Sequence, residues 1–493
     1  MDKAVSQSQP KLILGEHIEG TVYSGGWTRT AQATDIIEPA TGSVLGRIGM
    51  ATAVDVARAS ETAAKAQRDW AAASYDSRAA IIRKAAGMLE THFADVVDWL
   101  IRESGSARGK AEFETQLCIK ALNEAAALAS QPQGLVLPSE TGRMNLARRR
   151  PLGVVGIISP FNFPFYLAMR AVAPALAVGN AVVLKPDPRT AVCGGLVFAA
   201  LFEKAGLPEG LLHVLPGAGD AGAALVADPN VAMIQFTGST KAGRIVGENA
   251  SRHLKKVSLE LGGKNTLVIL KDADLELAVK NAAWGAWLHQ GQICMSSGRI
   301  LVEAPIVDAF IEALARKAKT LPVGNPTTDN VALGPIINKA QLDHIDRVVK
   351  TSVEQGARLL AGGTYENLFY APSVLAGVQP GMAAFEEEVF GPVACVTSFN
   401  GDDEAVELAN RTEYGLSAAV ISPDIGRAMA IGDRLRAGLL HINDQTVNDE
   451  VINPFGGVGA SGNGTSIGGP SNADEFTQWQ WLTIKNTPPA YPF

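Results

Sequence analysis

Cysteine is scarce in this chain of 493 residues: four in all, Cys118, Cys193, Cys294 and Cys395. Their wide spacing offers no CxxC pair, so neither a disulfide framework nor a zinc site is expected, and a reducing compartment fits. Positive charge is also in deficit. Lys and Arg number 43 against 50 Asp and Glu, a net charge of -7, which argues against nucleic acid or an anionic membrane as the main partner. The one basic run, Arg148-Arg149-Arg150, is short and reads as a solvated strand face. Long apolar runs are lacking too. The longest, Ala171 to Leu184, is interrupted by Pro174, Gly179 and Asn180 and is too short to span a bilayer. Met1 to Gly15 has no charged-then-apolar signal layout. A cytoplasmic protein is the expectation.

What is present is core. Hydrophobic residues make up 47% and charged residues 19%, and the length implies two or more domains. Residues 1–34 read as a loose arm. Ile36 to Gly42 reads as a strand entering a turn. Amphipathic helices follow near Val54–Ala72 and Ser77–Glu103, with Ile81, Ile82, Met88 and Leu89 recurring at three and four. A third, near Ala111–Ala129, carries Cys118 on its apolar side as packing. Leu135 to Arg150 changes texture to an extended β excursion, and Trp479 to Ile484 alternates like a strand.

From Leu152 to Gly238 strand and helix alternate. The strand-like runs are Val154–Ser159, Ala181–Lys185, Leu211–Leu215 and Met233–Thr237. Such alternation implies a parallel, doubly wound sheet, with a dinucleotide expected at the carboxyl ends of its strands. A second α/β unit spans about 261–465.

Three stretches carry chemistry. Gly291-Gln292-Ile293-Cys294-Met295-Ser296 places a thiol on an open turn between a helix-like segment, Ala278–His289, and a strand-like one, Arg299–Glu303. Val257 to Lys264 is an apolar strand with one carboxylate, Glu260, before a Gly pair. Ile157 to Pro164 presents one amide, Asn162. A nucleophilic thiol, a base and an oxyanion-holding amide are the parts for attack on a carbonyl. Taken separately, each has a plainer reading: a buried thiol, a paired acid, a helix cap. His289 invites a Cys–His pairing, but it lies toward the end of a helix-like segment.

Together these stretches resemble the aldehyde dehydrogenase superfamily from about residue 35 to the C-terminus. The resemblance implies two doubly wound α/β domains plus a small β excursion for oligomerisation. Residues 1–130 and 150–260 would bind the cofactor, 261–465 would carry the nucleophile, and 131–149 with 466–493 would join subunits into a homodimer or homotetramer. It implies Cys294 as nucleophile, Glu260 as base and Asn162 with the Cys294 N–H as oxyanion donors. No metal is implied.

For the cofactor, Phe236-Thr237-Gly238-Ser239-Thr240 is a strand ending in a Gly-Ser turn that opens a helix, a place for a pyrophosphate; an N-cap by Ser239 is the plain alternative. Gly217 to Gly222 matches GxGxxG, but late in the series, where a lone match says little; Gly219 is kept as a candidate beside Ile158 and Ser159. The resemblance places Lys185 at the adenine ribose, and Glu388 and Phe390 at the nicotinamide end. Where NAD-preferring members commonly have Glu three residues after that Lys, this chain has Pro188. NAD is therefore favoured and NADP stays open, with Lys185 or Arg189 able to attract a 2′-phosphate and Asp187 a partial substitute for the missing acceptor.

For the substrate, Phe163, Tyr166 and Arg170 recur at three to four, Ile293 and Met295 flank the thiol, and family analogy adds Phe455. An aromatic-lined slot suits a flat ring. The loop His441 to Glu450, the run Lys185–Thr190 and the ending Pro488 to Phe493 resemble those of benzaldehyde and vanillin-type dehydrogenases. An aromatic aldehyde is expected, with Arg170 either an attractor of a ring hydroxyl or phenolate or the partner of a surface acid. Aliphatic or semialdehyde oxidation, a CoA-acylating enzyme and a non-catalytic relative are the alternatives. Glu260 speaks against CoA acylation, and the intact trio against a non-catalytic protein.

Overall fold

The computed structural model describes residues 11–493. Its first sheet runs, in order, through Lys256–Glu260, Val231–Thr237, Val154–Ile158, Ala181–Lys185 and Leu212–Val214, all parallel, then Glu19–Ser24, Val44–Met50 and Gln32–Ile37. Within it, Val154–Ile158 and residues 181–184 are short apolar runs because helices cover both faces of the sheet. Helix Ala53–Ala72 is one cover. Thr52 starts it, accepting from the Asp55 N–H while the Asp55 carboxylate accepts from the Thr52 N–H.

The second sheet is ordered Arg358–Ala361, Ser373–Ala376, Val393–Phe399, Arg299–Glu303, Thr266–Ile269, Ser417–Ile421, Leu439–Ile442. All neighbours are parallel except the first pair. The chain passes between the sheets within Leu261–Asn265: Glu260 ends an edge strand of the first, and Thr266 begins a central strand of the second. A third sheet joins Gly134–Leu137, Arg143–Pro151 and Thr477–Lys485. The last two pair antiparallel from Thr477↔Pro151 to Lys485↔Arg143, the partnership that the family resemblance implies.

Three expectations need correction. Within the supposed loose arm, residues 1–10 lie outside the described residues, but residues 19–37 hold three strands. These are short and interrupted by Gly20, Gly25 and Gly26, so local alternation is faint, and partners far along the chain fix them, as in Tyr23↔Val214. The helix expected over Ser77–Glu103 is two, Tyr75–Thr91 and Phe93–Ser104, broken at buried His92 (φ −101°, ψ 21°), whose ring faces Asp95. Apolar periodicity continues on both sides, which hides the break. Arg149 is not a solvated charge: it pairs with Asp474 and stacks 4.1 Å over Trp479.

Cys118, Cys193 and Cys395 are buried free thiols, and Cys294 is half-buried. No described helix is long and apolar enough to cross a membrane.

Candidate active site

Sheet register sets the first half of the site. Ile158 lies opposite Lys185 on one side and Phe236 on the other, and Thr237 lies opposite Glu260. Four parallel strands therefore end level. Their carboxyl ends open onto a cavity of about 540 Å³. Ile158, Ser159, Lys185, Gly238, Ser239, Glu260, Glu388 and Phe390 all line it. Gly219 does not; it opens helix Gly219–Ala227, outside that lining.

The thiol is placed by an unusual backbone. Helix Leu275–Trp287 ends early, and His289 (φ 49°), Gln290 (φ 56°) and Gly291 (φ 67°) follow in left-handed conformation. Non-glycine residues resist this region at roughly 1–2 kcal/mol each, so neighbours must hold it. Gln290 Nε2 donates to the Gly105 and Pro335 carbonyls at 3.0 and 2.9 Å, and Gln292 Oε1 accepts from the Ile337 N–H at 3.0 Å. Asn265 Nδ2 donates to the Cys294 carbonyl at 2.7 Å. The Cys294 N–H itself has no acceptor among the described residues. His289 lines neither cavity; its ring packs edge-on against Phe163.

Cys294 and Asn162 line two cavities at once, the one above and a second of about 350 Å³ on the other side. Asn162 does not cap the helix that follows. Glu114 does, accepting from the Phe165 and Tyr166 N–H groups at 2.9 and 3.1 Å, and the Asn162 side chain makes no hydrogen bond within the protein. Glu260 is buried with both carboxylate oxygens unpartnered. Burial raises its pKa well above the carboxylate range, with Arg170 opposing. Burial pushes the Cys294 thiol up to about 12, helped by the nearby Glu388 and Glu260 charges. Burial likewise lifts Glu388 to about 7, against the Gly263 N–H it accepts at 2.9 Å.

The first cavity suits a dinucleotide by its donor set. Ser159 has a buried, unpartnered hydroxyl, Lys185 supplies a cation, and Glu388 a carboxylate. Ser239 accepts from the Ala242 N–H at 3.3 Å as the cap of helix Thr240–Arg252; its O–H stays available to donate, and with that helix's first-turn N–H groups it forms a donor set suited to an anion. Arg189 and Asp187 hold each other bidentately at 2.8 and 2.6 Å. Both line the cavity beside Lys185, so the pair presents further guanidinium N–H donors and carboxylate acceptors there.

The second cavity is lined by Phe163, Tyr166, Ile293, Met295 and Phe455, as expected from sequence. Arg170 is the correction. It does not line the cavity; it sits behind it, paired to Asp449 at 2.8 Å, donating to the Ile467 carbonyl at 2.8 Å and lying 4.3 Å over the Phe455 ring. A buried guanidinium needs a counter-charge, and Asp449 takes the charge that was assigned to substrate. Replacing Arg170 with Met strands Asp449, an expected loss of about 3–5 kcal/mol in stability that urea unfolding measures. Sequence reasoning missed Phe113, Leu117 and Trp284 in the lining. Phe113 and Leu117 stand one helical turn apart, a spacing that could have flagged them. Val447, Asn448 and Asp449 come from the loop singled out by resemblance.

Level strand ends, a strained turn carrying a thiol and two cavities meeting at it define a class. The chain belongs to the aldehyde dehydrogenase family, whose model matches residues 27–482. It is 56% identical over 476 residues to the vanillin dehydrogenase of an Amycolatopsis species, covering 96% of this chain and 98% of that one. It is 48% identical to the NAD(+) benzaldehyde dehydrogenase of Pseudomonas putida, again over 96% and 98%. Among solved structures, betaine aldehyde dehydrogenase from Staphylococcus aureus in complex with NAD+ superposes with a TM-score of 0.94 at 30% identity, covering 97% of each chain.

Proposed function

We propose that this protein oxidises aromatic aldehydes, benzaldehyde or ring-substituted relatives, to carboxylic acids with NAD or NADP. The observation that carries the reading is the apolar second cavity, walled by Phe113, Phe163, Trp284 and Phe455 and ending at Cys294. A flat ring buries both faces in such a slot. Resemblance to vanillin and benzaldehyde dehydrogenases supports it.

In this reading Cys294 gives its proton to a base, Glu260 or water, and attacks the aldehyde carbon as thiolate. The oxyanion takes hydrogen bonds from the Asn162 amide and the Cys294 N–H, both free of other partners. Lys185, Ser159, the turn at Gly238-Ser239, Glu388 and Phe390 would hold the dinucleotide, whose chemistry when bound is hydride acceptance. After hydride loss Cys294 carries a thioester. Glu260 then draws a proton from water, and hydroxide attack releases the acid and frees the thiol.

The division into a cofactor domain (1–130 and 150–260), a catalytic domain (261–465) and joining strands (131–149 and 466–493) follows the three sheets. Association into a homodimer or homotetramer is part of the proposal, supported by Trp481 and Ile484 exposed on the last strand. The cytoplasm is the proposed compartment, in keeping with four free thiols.

The test is nicotinamide absorbance with benzaldehyde, 4-hydroxybenzaldehyde, hexanal and succinic semialdehyde, each with NAD and NADP. The aromatic pair should show the higher kcat/KM. Preference for the semialdehyde would refute the substrate class, and Arg170, locked on Asp449, offers it no free cation.

A further inference from the structure

We propose that the buried Lys110–Glu114 pair sets the direction of the Asn162 amide, making Lys110 a positioning residue for the oxyanion. The proposal rests on the oxyanion role of Asn162 given above. Helix Arg108–Leu128 carries the two side chains one turn apart, and both are essentially inaccessible, at 1% and 0% exposure. Lys110 Nζ donates to one Glu114 carboxylate oxygen and, at 2.8 Å, to the Asn162 carbonyl. The other Glu114 oxygen accepts from the Phe165 and Tyr166 N–H groups. One ion pair thus grips the chain on both sides of Phe163, whose ring lies 4.0 Å from Nζ.

The arrangement answers a need specific to Asn162. Among the described residues its side chain has no hydrogen-bond partner to orient it, so its direction follows from the backbone that carries it. A free amide is what an oxyanion requires, and preorganisation without occupying the amide must act through the main chain. Two charges are expensive to bury, and an apolar pair would stabilise the helix contact as well or better. What an apolar pair cannot do is hold a carbonyl and two N–H groups at fixed distances.

The experiment is a double-mutant cycle on benzaldehyde turnover with NAD: wild type, Lys110→Met, Asn162→Ala and both together. Lys110→Met with Glu114→Gln is included because Met alone leaves a buried carboxylate, whereas Gln keeps an acceptor for the helix cap. Lys110→Met, and the Met/Gln pair, should lower kcat by about 10²-fold while KM moves less than about threefold. The double variant with Asn162→Ala should be no slower than Asn162→Ala alone, because a misaimed amide and a missing one lose the same interaction. The iodoacetamide reaction of Cys294 should keep its rate, which a general loosening of the site would change. Retained kcat in both Met variants, or losses that multiply with Asn162→Ala, overturns the positioning role while Asn162 stands. Full kcat in Asn162→Ala overturns the oxyanion reading itself, and the positioning role with it.

Discussion

Cys294→Ala is expected to lower aldehyde oxidation by about 10⁴-fold or more, because without the nucleophile no covalent intermediate forms and residual groups act only on bound substrate. The same variant should bind the dinucleotide normally. The groups assigned to the cofactor sit at the ends of three strands and in the loop before Val393–Phe399 and line their own cavity, which Cys294 borders. Steady-state absorbance and a titration of nicotinamide fluorescence separate the two effects. Full oxidation by the alanine variant would end the thiol mechanism. Loss of cofactor affinity alongside activity would mean the turn at Gly291–Ser296 had collapsed, and Cys294→Ser would then be the variant to compare.

Glu260→Gln should divide the reaction in time. Water activation belongs after hydride loss, so the first turnover should survive as a burst of reduced nicotinamide while steady turnover falls by about 10²–10⁴-fold. Stopped-flow absorbance with benzaldehyde checks this, and acid quenching should recover aromatic acyl groups on Cys294. A burst lost together with steady turnover would give Glu260 the first proton, from the thiol. The pH dependence has a definite sign. Burial raises the Glu260 pKa, so the base form, and deacylation with it, increases as pH rises. Stability runs the other way. A carboxyl raised in the folded state makes its full contribution below its ordinary value of 4.5 and loses it as pH rises through the folded one. The Glu260→Gln variant should flatten that decline in urea midpoints.

The local sequence carried much of this protein. Runs such as Val154–Ile158 and residues 181–184 are apolar because both faces are covered, and their alternation with helix-like stretches identifies central parallel strands. Trp479–Ile484 and the Leu135–Arg150 stretch could each be read as extended because both alternate, while their pairing is what the family resemblance implies. Cys294, Glu260 and Asn162 could be picked out because a reactive side chain inside an otherwise apolar or small-residue run contradicts the packing around it.

Other features were decided only by folding, because their partners are distant in the chain. Arg170 looked like a substrate cation until Asp449, 279 residues on, neutralised it. Asn162 looked like a helix cap until Glu114, 51 residues earlier than Phe165, took that position. Gln290 occupies left-handed backbone only because Gly105 and Pro335 receive its amide. A sequence determines what each residue can donate, accept or bury. Which partner it meets depends on desolvation: once buried, a charge or amide must bond to whatever the fold brings within about 3 Å, and that choice belongs to the tertiary structure.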